Sequence, residues 1–197
     1  IPFSKYQGAG NDFVMIDNRS TQWLSRKDTA LIERLCDRRF GIGADGLILL
    51  QNHPDCDFEM VYFNADGRES SMCGNGGRCI VRFAQQVGRS EQQARFLAID
   101  GMHAANIRLD GWVELKMMDV DSVEVGEDYF LLNTGSPHYV IFVEDIDDIN
   151  VKENGAAIRY SERFRAVAPS GNEVDTQLRT GPRGGRVWPV IKSSAPG

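Results

Sequence analysis

The chain has 197 residues, 42% of them hydrophobic and 25% charged, which is enough apolar sequence to bury a core and ordinarily to make one or two domains. Its formal charge of −6 excludes the basic face that nucleic-acid binding normally needs, and no apolar run approaches the roughly 20 residues of a membrane span. Residues 1–5 lack the charged and apolar regions of a signal peptide, so the expected setting is the cytoplasm and the expected partner a small molecule.

In chain order, short apolar runs at 13–16, 47–50, 58–63, 96–99, 129–132 and 139–143 read as strands. Ser25, with Asp28 three residues on, resembles a capping box that opens a helix through Leu31, Ile32, Leu35 and Cys36 and stops near Gly41 and Gly43. Ile80, Phe83, Ala84 and Val87 recur at helical spacing and predict an amphipathic helix that starts inside the preceding glycine run. Ala105, Ile107 and Leu109, then Val113, Leu115 and Met117, alternate on either side of Asp110-Gly111, the signature of a hairpin. The fold class is therefore α+β with a mixed sheet. The acidic segment 121–128 reads as a linker between a first domain at 1–120 and the start of a second at 129–166. Residues 167–197 form a tail of atypical composition, with Pro169, Pro182, Pro189, Pro196 and five glycines. Its arginines Arg179, Arg183 and Arg186 read as exposed charges.

The candidate chemistry lies in Ser71-Met72-Cys73-Gly74-Asn75-Gly76-Gly77-Arg78-Cys79. The first N–H groups of the helix that follows have no intrahelical partner, glycines let a ligand approach that backbone closely, and the positive end of a helix suits a carboxylate or phosphate. The same field favours a thiolate, so Cys73 is the candidate base or nucleophile. The other cysteines, Cys36, Cys56 and Cys79, form no Cys-x-x-Cys pair, and His53, His103 and His138 are scattered singly, so no metal site is expected. Cys36 fits a buried structural thiol.

Four motifs occur in order: Gly8-Ala9-Gly10-Asn11-Asp12-Phe13, Arg39-Phe40-Gly41-Ile42-Gly43-Ala44-Asp45-Gly46, Phe63-Asn64-Ala65-Asp66-Gly67 and Met72-Cys73-Gly74-Asn75-Gly76-Gly77-Arg78. With them the chain resembles the diaminopimelate epimerase family from about Phe3 to Arg165, and Gly135-Ser136-Pro137-His138 is similar to the segment that starts the family's second domain. The resemblance implies two pseudo-symmetric α/β domains, each a mixed sheet wrapped around a helix, facing one another across the active site. It implies interconversion of LL- and meso-2,6-diaminopimelate, in lysine and peptidoglycan precursor biosynthesis, without pyridoxal phosphate, metal or other cofactor. Two cysteines would flank the α-carbon, one taking the proton while the other delivers one from the opposite face. By position, Cys73 matches the first-domain acid/base, Gly74 and Asn75 its carboxylate-binding amides, Asn11 and Asn64 substrate-binding asparagines, and His138 a histidine beside the active site. Members can dimerise, so a homodimer is among the expected assemblies.

The chain departs from the pattern in its second half. Ser136 stands where many members carry a substrate-binding asparagine, and Gly46 where some carry a glutamine; neither is assigned a substrate contact. After Ala166 there is no Cys-Gly-Thr-Gly loop and no cysteine. A frameshift or truncation near Arg165 is the expected origin of the tail, with exposed apolar surface and marginal stability as its consequence. The alternative to an epimerase is a binding protein for diaminopimelate or a related amino acid that keeps the carboxylate loop without turnover. Thiol redox work by Cys73 and Cys79 is a third reading, weakened by their spacing.

Overall fold

Apolar runs too continuous for a one-sided sheet become strands that are covered on both faces. The computed structural model describes residues 1–143, 145, 149–167 and 175–180. It divides into two units, Ile1–Met117 and a second beginning at Met118. The first contains β1 (Ser4–Gly8), β2 (Asn11–Asp17), α1 (Thr29–Cys36), β3 (Gly46–Gln51), β4 (Phe58–Asn64), α2 (Gly74–Gln86), β5 (Gln93–Ala98), β6 (Gly101–Ile107) and β7 (Val113–Leu115). Its seven strands form one sheet in chain order. The β2–β3 and β4–β5 pairs are parallel and the others antiparallel. Parallel neighbours need a crossover, and α1 and α2 are those crossovers.

Alternation along each strand sorts the core into two layers. Phe13 and Met15, Ile48 and Leu50, and Phe58, Met60 and Tyr62 pack with Ile80, Phe83 and Ala84 of α2. The intervening Val14 and Ile16, Leu47 and Leu49, and Val61 and Phe63 pack with Ile32 and Cys36 of α1. Each large apolar side chain buried in this way stabilises the fold by about 2 kcal/mol. Burial pushes the Cys36 thiol up to about 12, as expected of a structural cysteine.

Local chemistry adjusts the expected boundaries. The α1 N-cap is Asp28, not Ser25: the Ser25 backbone N–H and hydroxyl donate to Asp28 Oδ2 at 2.7 and 2.8 Å, closing a ring before the helix. The hairpin strands stop at Ile107 and restart at Val113, because the Arg108 N–H donates to the Trp112 carbonyl and the Gly111 N–H to the Arg108 carbonyl. Leu109, expected in a strand, is 98% exposed.

The second unit has β8 (Val123–Val125), β9 (Tyr129–Asn133), β10 (Pro137–Val143), α3 (Val151–Arg159), α4 (Glu162–Val167) and β11 (Asp175–Thr180). Its sheet order is β11-β10-β9-β8, with β11 parallel to β10. Part of the segment expected as a linker is thus strand β8, whose Glu124 is gripped by Arg163. Phe164 is buried edge-on against Tyr139, which stacks on Tyr129. Within the expected tail, Asp175–Thr180 pairs with β10; residues 168–174 and 181–197 lie outside the described residues.

Candidate active site

A two-residue turn starts the site. Ala9 and Gly10 both have positive φ, 50° and 91°, a pairing that matches the twist of adjoining strands and pairs Gly8 with Asn11. Asn11 therefore opens β2 on the face carrying Phe13 and Met15, which is the α2 face. Parallel pairing sets Phe13 beside Gly46, and antiparallel pairing sets Gly46 beside Asn64. Asn64 lies two residues beyond Tyr62, another side chain of that face. Asn11, Gly46 and Asn64 consequently share one end of one sheet face.

The N-terminus of α2 meets that end. Cys73 is its N-cap, in extended conformation and 5% exposed, and the first helical bond runs from the Gly77 N–H to the Cys73 carbonyl at 2.8 Å. The N–H groups of Gly74, Asn75 and Gly76 precede that bond and have no intrahelical acceptor. Two of the glycines are closely packed by the ends of neighbouring side chains. A Cβ on Gly76 would lie 2.9 Å from Ile48 Cδ1, and one on Gly77 2.6 Å from Met72 Cε and 2.7 Å from Leu115 Cδ2. At Gly74 the nearest atom would be 3.6 Å away, ordinary contact, so packing does not require a glycine there.

A chain of hydrogen bonds links helix to sheet. Arg78 Nη2 donates to Asn75 Oδ1, Asn75 Nδ2 to Asn11 Oδ1 at 2.8 Å, and Asn11 Nδ2 to Asp45 Oδ2 at 3.2 Å. Asp45 also accepts from the Asp12 N–H and from Arg38. Arg38 first, then Lys5, hold the Asp12 carboxyl well below the usual carboxylate range, against the opposing effect of burial. Burial, reinforced by the neighbouring Cys73, pushes the Cys79 thiol up to about 11, so Cys79 stays protonated near neutral pH. Its chemistry is that of a packed thiol, which disfavours the redox reading.

The structure thus gathers Cys73, Gly74, Asn75, Asn11 and Asn64 at one end of the first unit. His138 is in the second unit, on β10, with Nε2 2.8 Å from Thr134 Oγ1. Among the described residues no group of three or more His, Cys, Asp or Glu could hold a metal ion, and no helix is long and apolar enough to cross a membrane. Sequence reasoning missed the parts of Asp45, Arg38 and Tyr62. Asp45 lies within the second motif, and Tyr62 left a signal in its spacing of two from Asn64 on a strand.

A family model described as diaminopimelate epimerase matches residues 3–123. The diaminopimelate epimerase of Flavobacterium psychrophilum is 49% identical over 178 residues, covering 90% of this chain and 68% of that protein. That of Aquifex aeolicus is 38% identical over 196 residues, covering 89% and 68%. Among solved structures, a hydroxyproline epimerase from Agrobacterium vitis superposes with a TM-score of 0.62 at 13% identity, covering 96% of this chain and 71% of its own. A probable proline racemase from Agrobacterium radiobacter gives 0.61 at 16%, with the same coverage. At such identities these two establish the shared α+β fold.

Proposed function

The chain belongs to the diaminopimelate epimerase family, and from that premise we propose that it acts on 2,6-diaminopimelate, interconverting the LL and meso forms, with Cys73 as the acid/base on one face of the α-carbon. The observation that carries this reading is the position of Cys73 as N-cap of α2, one turn from three backbone N–H groups without helical acceptors. An amino acid's α-proton is very weakly acidic, so its removal needs charge stabilisation. The N–H groups of Gly74 and Asn75 would receive the substrate carboxylate at the positive end of the helix, where negative charge builds as the C–H bond breaks. Asn11 and Asn64, at the same end of the sheet, would bind the remainder of the substrate. In the direction in which Cys73 is the base, its thiolate takes the α-proton and becomes a thiol, while the C–H electron pair delocalises toward the carboxylate; in the other direction its thiol delivers the proton. Inversion requires a second acid on the opposite face. No cysteine follows Cys79 in this sequence. Cofactor independence, a cytoplasmic setting, a place for His138 beside the substrate and a homodimer belong to the same proposal, on the strength of the family's pattern.

Proton NMR of LL-diaminopimelate with the purified chain in D₂O tests the reading. Expected is loss of the α-proton signal, abolished in Cys73→Ser; appearance of the meso isomer would report the second acid as well. No exchange, together with no protection of Cys73 from alkylation by diaminopimelate, would sink it. Protection without exchange would favour the binding protein instead.

A further inference from the structure

We infer that Tyr62 is a positioning residue for Asn64, and that the bare backbone of Gly46 is what admits it. Antiparallel pairing puts Gly46 directly opposite Asn64. A Cβ built on Gly46 would stand 2.6 Å from Tyr62 Cε2, 3.2 Å from the Tyr62 hydroxyl and 2.4 Å from the Phe63 carbonyl oxygen. The tyrosine ring therefore occupies the space that any side chain at position 46 would fill. The ring is held there by an edge-on contact with Phe13, centroids 5.9 Å apart at 78°, and Tyr62 is 8% exposed. A phenol so buried needs a partner for its O–H. The hydroxyl donates to Asn64 Oδ1 at 3.1 Å.

The consequence falls on the amide. Asn and Gln amides are ambiguous groups, able to turn either a carbonyl or an NH₂ toward a ligand. With Oδ1 turned toward the Tyr62 hydroxyl, the Asn64 side chain directs its two Nδ2 hydrogens away from it, in a conformation set before binding. Less side-chain entropy is then lost when a ligand arrives. Gly46, Tyr62 and Asn64 thus act as one unit: the glycine makes room, the phenol holds the amide, and the amide meets the substrate. The inference rests on the reading of Asn64 as a substrate contact.

Tyr62→Phe keeps the ring and removes only the hydroxyl. In the ligand-free full chain, ¹⁵N-edited NMR should show the Asn64 side-chain amide pair shifted while the backbone pattern stays that of the folded protein. The Kd for diaminopimelate, read by calorimetry, should rise about threefold to tenfold, the effect of one ordinary hydrogen bond. Added to Asn64→Ala, the same substitution should cause no further loss. Unmoved Asn64 amide signals, or an equal loss of affinity in the Asn64→Ala background, would overturn the inference. Failure of the substrate reading has a different signature: Asn64→Ala would bind as the unaltered chain does, whereas the Asn64 amide signals would still shift in Tyr62→Phe, which supports the positioning contact on its own.

Discussion

Asn75 Nδ2 donates to Asn11 Oδ1 at 2.8 Å, fastening the first turn of α2 to the first residue of β2 across 64 positions of sequence. Because Asn11 passes its own Nδ2 hydrogen to Asp45, the helix N-terminus, the sheet end and the Arg38 loop are held as one body. A loop that must present backbone N–H groups to a ligand is useful only if it is held still.

Asn11→Asp tests that coupling. Asn11 is 7% exposed, and a carboxylate there would face Asp45 where the amide now donates to it. A loss of about 2 kcal/mol of stability is expected at pH 7, from an unpaired buried acceptor and a like charge. The new group's folded-state pKa would be raised, so the penalty relative to the unaltered chain should shrink as pH falls toward that value. Urea unfolding of both proteins at pH 7 and pH 5 reads the difference. An equal penalty at both values would count against the like-charge explanation.

His103 should make stability depend on pH near neutrality. It is 3% exposed and stacked on Phe96, with Nε2 2.9 Å from Asp100 Oδ1 and Nδ1 3.1 Å from the Lys116 carbonyl. Both partners accept, so only the imidazolium can donate to both, and the Asp100 contact above all raises the His103 pKa despite burial. A raised folded value stabilises the protein fully below the ordinary histidine value of about 6.5, and that contribution is lost as pH rises through the folded value. His103→Gln should therefore cost about 1.5 kcal/mol at pH 6 and progressively less toward pH 9, in denaturant unfolding across that range. A ring titration midpoint below the ordinary value would refute the assignment.

Acid stability should depend on Arg38. Its guanidinium meets Asp12 at 2.6 and 3.1 Å and holds that carboxyl low, a contribution present above the unfolded carboxylate value of about 3.9 and lost as pH falls through the folded one. In Arg38→Met the folded value rises, so the acid unfolding midpoint followed by circular dichroism should move to higher pH. No movement would mean that Lys5 alone suffices.

The glycines before and within α2 should separate by packing. Gly76→Ala must displace Ile48 Cδ1 from 2.9 Å, and because that atom ends a flexible side chain the strain is about 1 kcal/mol, enough to cancel what alanine's helix propensity returns and leave this variant less stable than Gly74→Ala. Gly74→Ala meets nothing closer than 3.6 Å and should leave stability unchanged or slightly higher. Thermal unfolding of the two variants side by side checks this, and equal destabilisation would show that the helix N-terminus is not seated as described.

Strands β2 to β7, the two helices of the first unit and the Cys73 loop were legible because each depends on neighbours in sequence: apolar runs, helical spacing, a glycine run entering a helix; β1 and β8, short and interrupted by polar residues, were not. Gly74 and Asn75 belong to that loop, whereas Asn11 and Asn64 were named only through the resemblance to the family's motifs, their local pattern being that of turns. What each of them touches was decided only by tertiary structure. Asn11 reaches Asn75 and Asp45 because a parallel register sets β2 beside β3 and because Gly76 and Gly77 let α2 settle onto that face. Tyr62, which sequence reads as one more core aromatic, becomes part of the site because register places it over the single glycine that leaves it room. Pattern along a chain reports which side of an element is apolar; sheet order, register and the depth at which a helix packs choose which distant polar groups meet there.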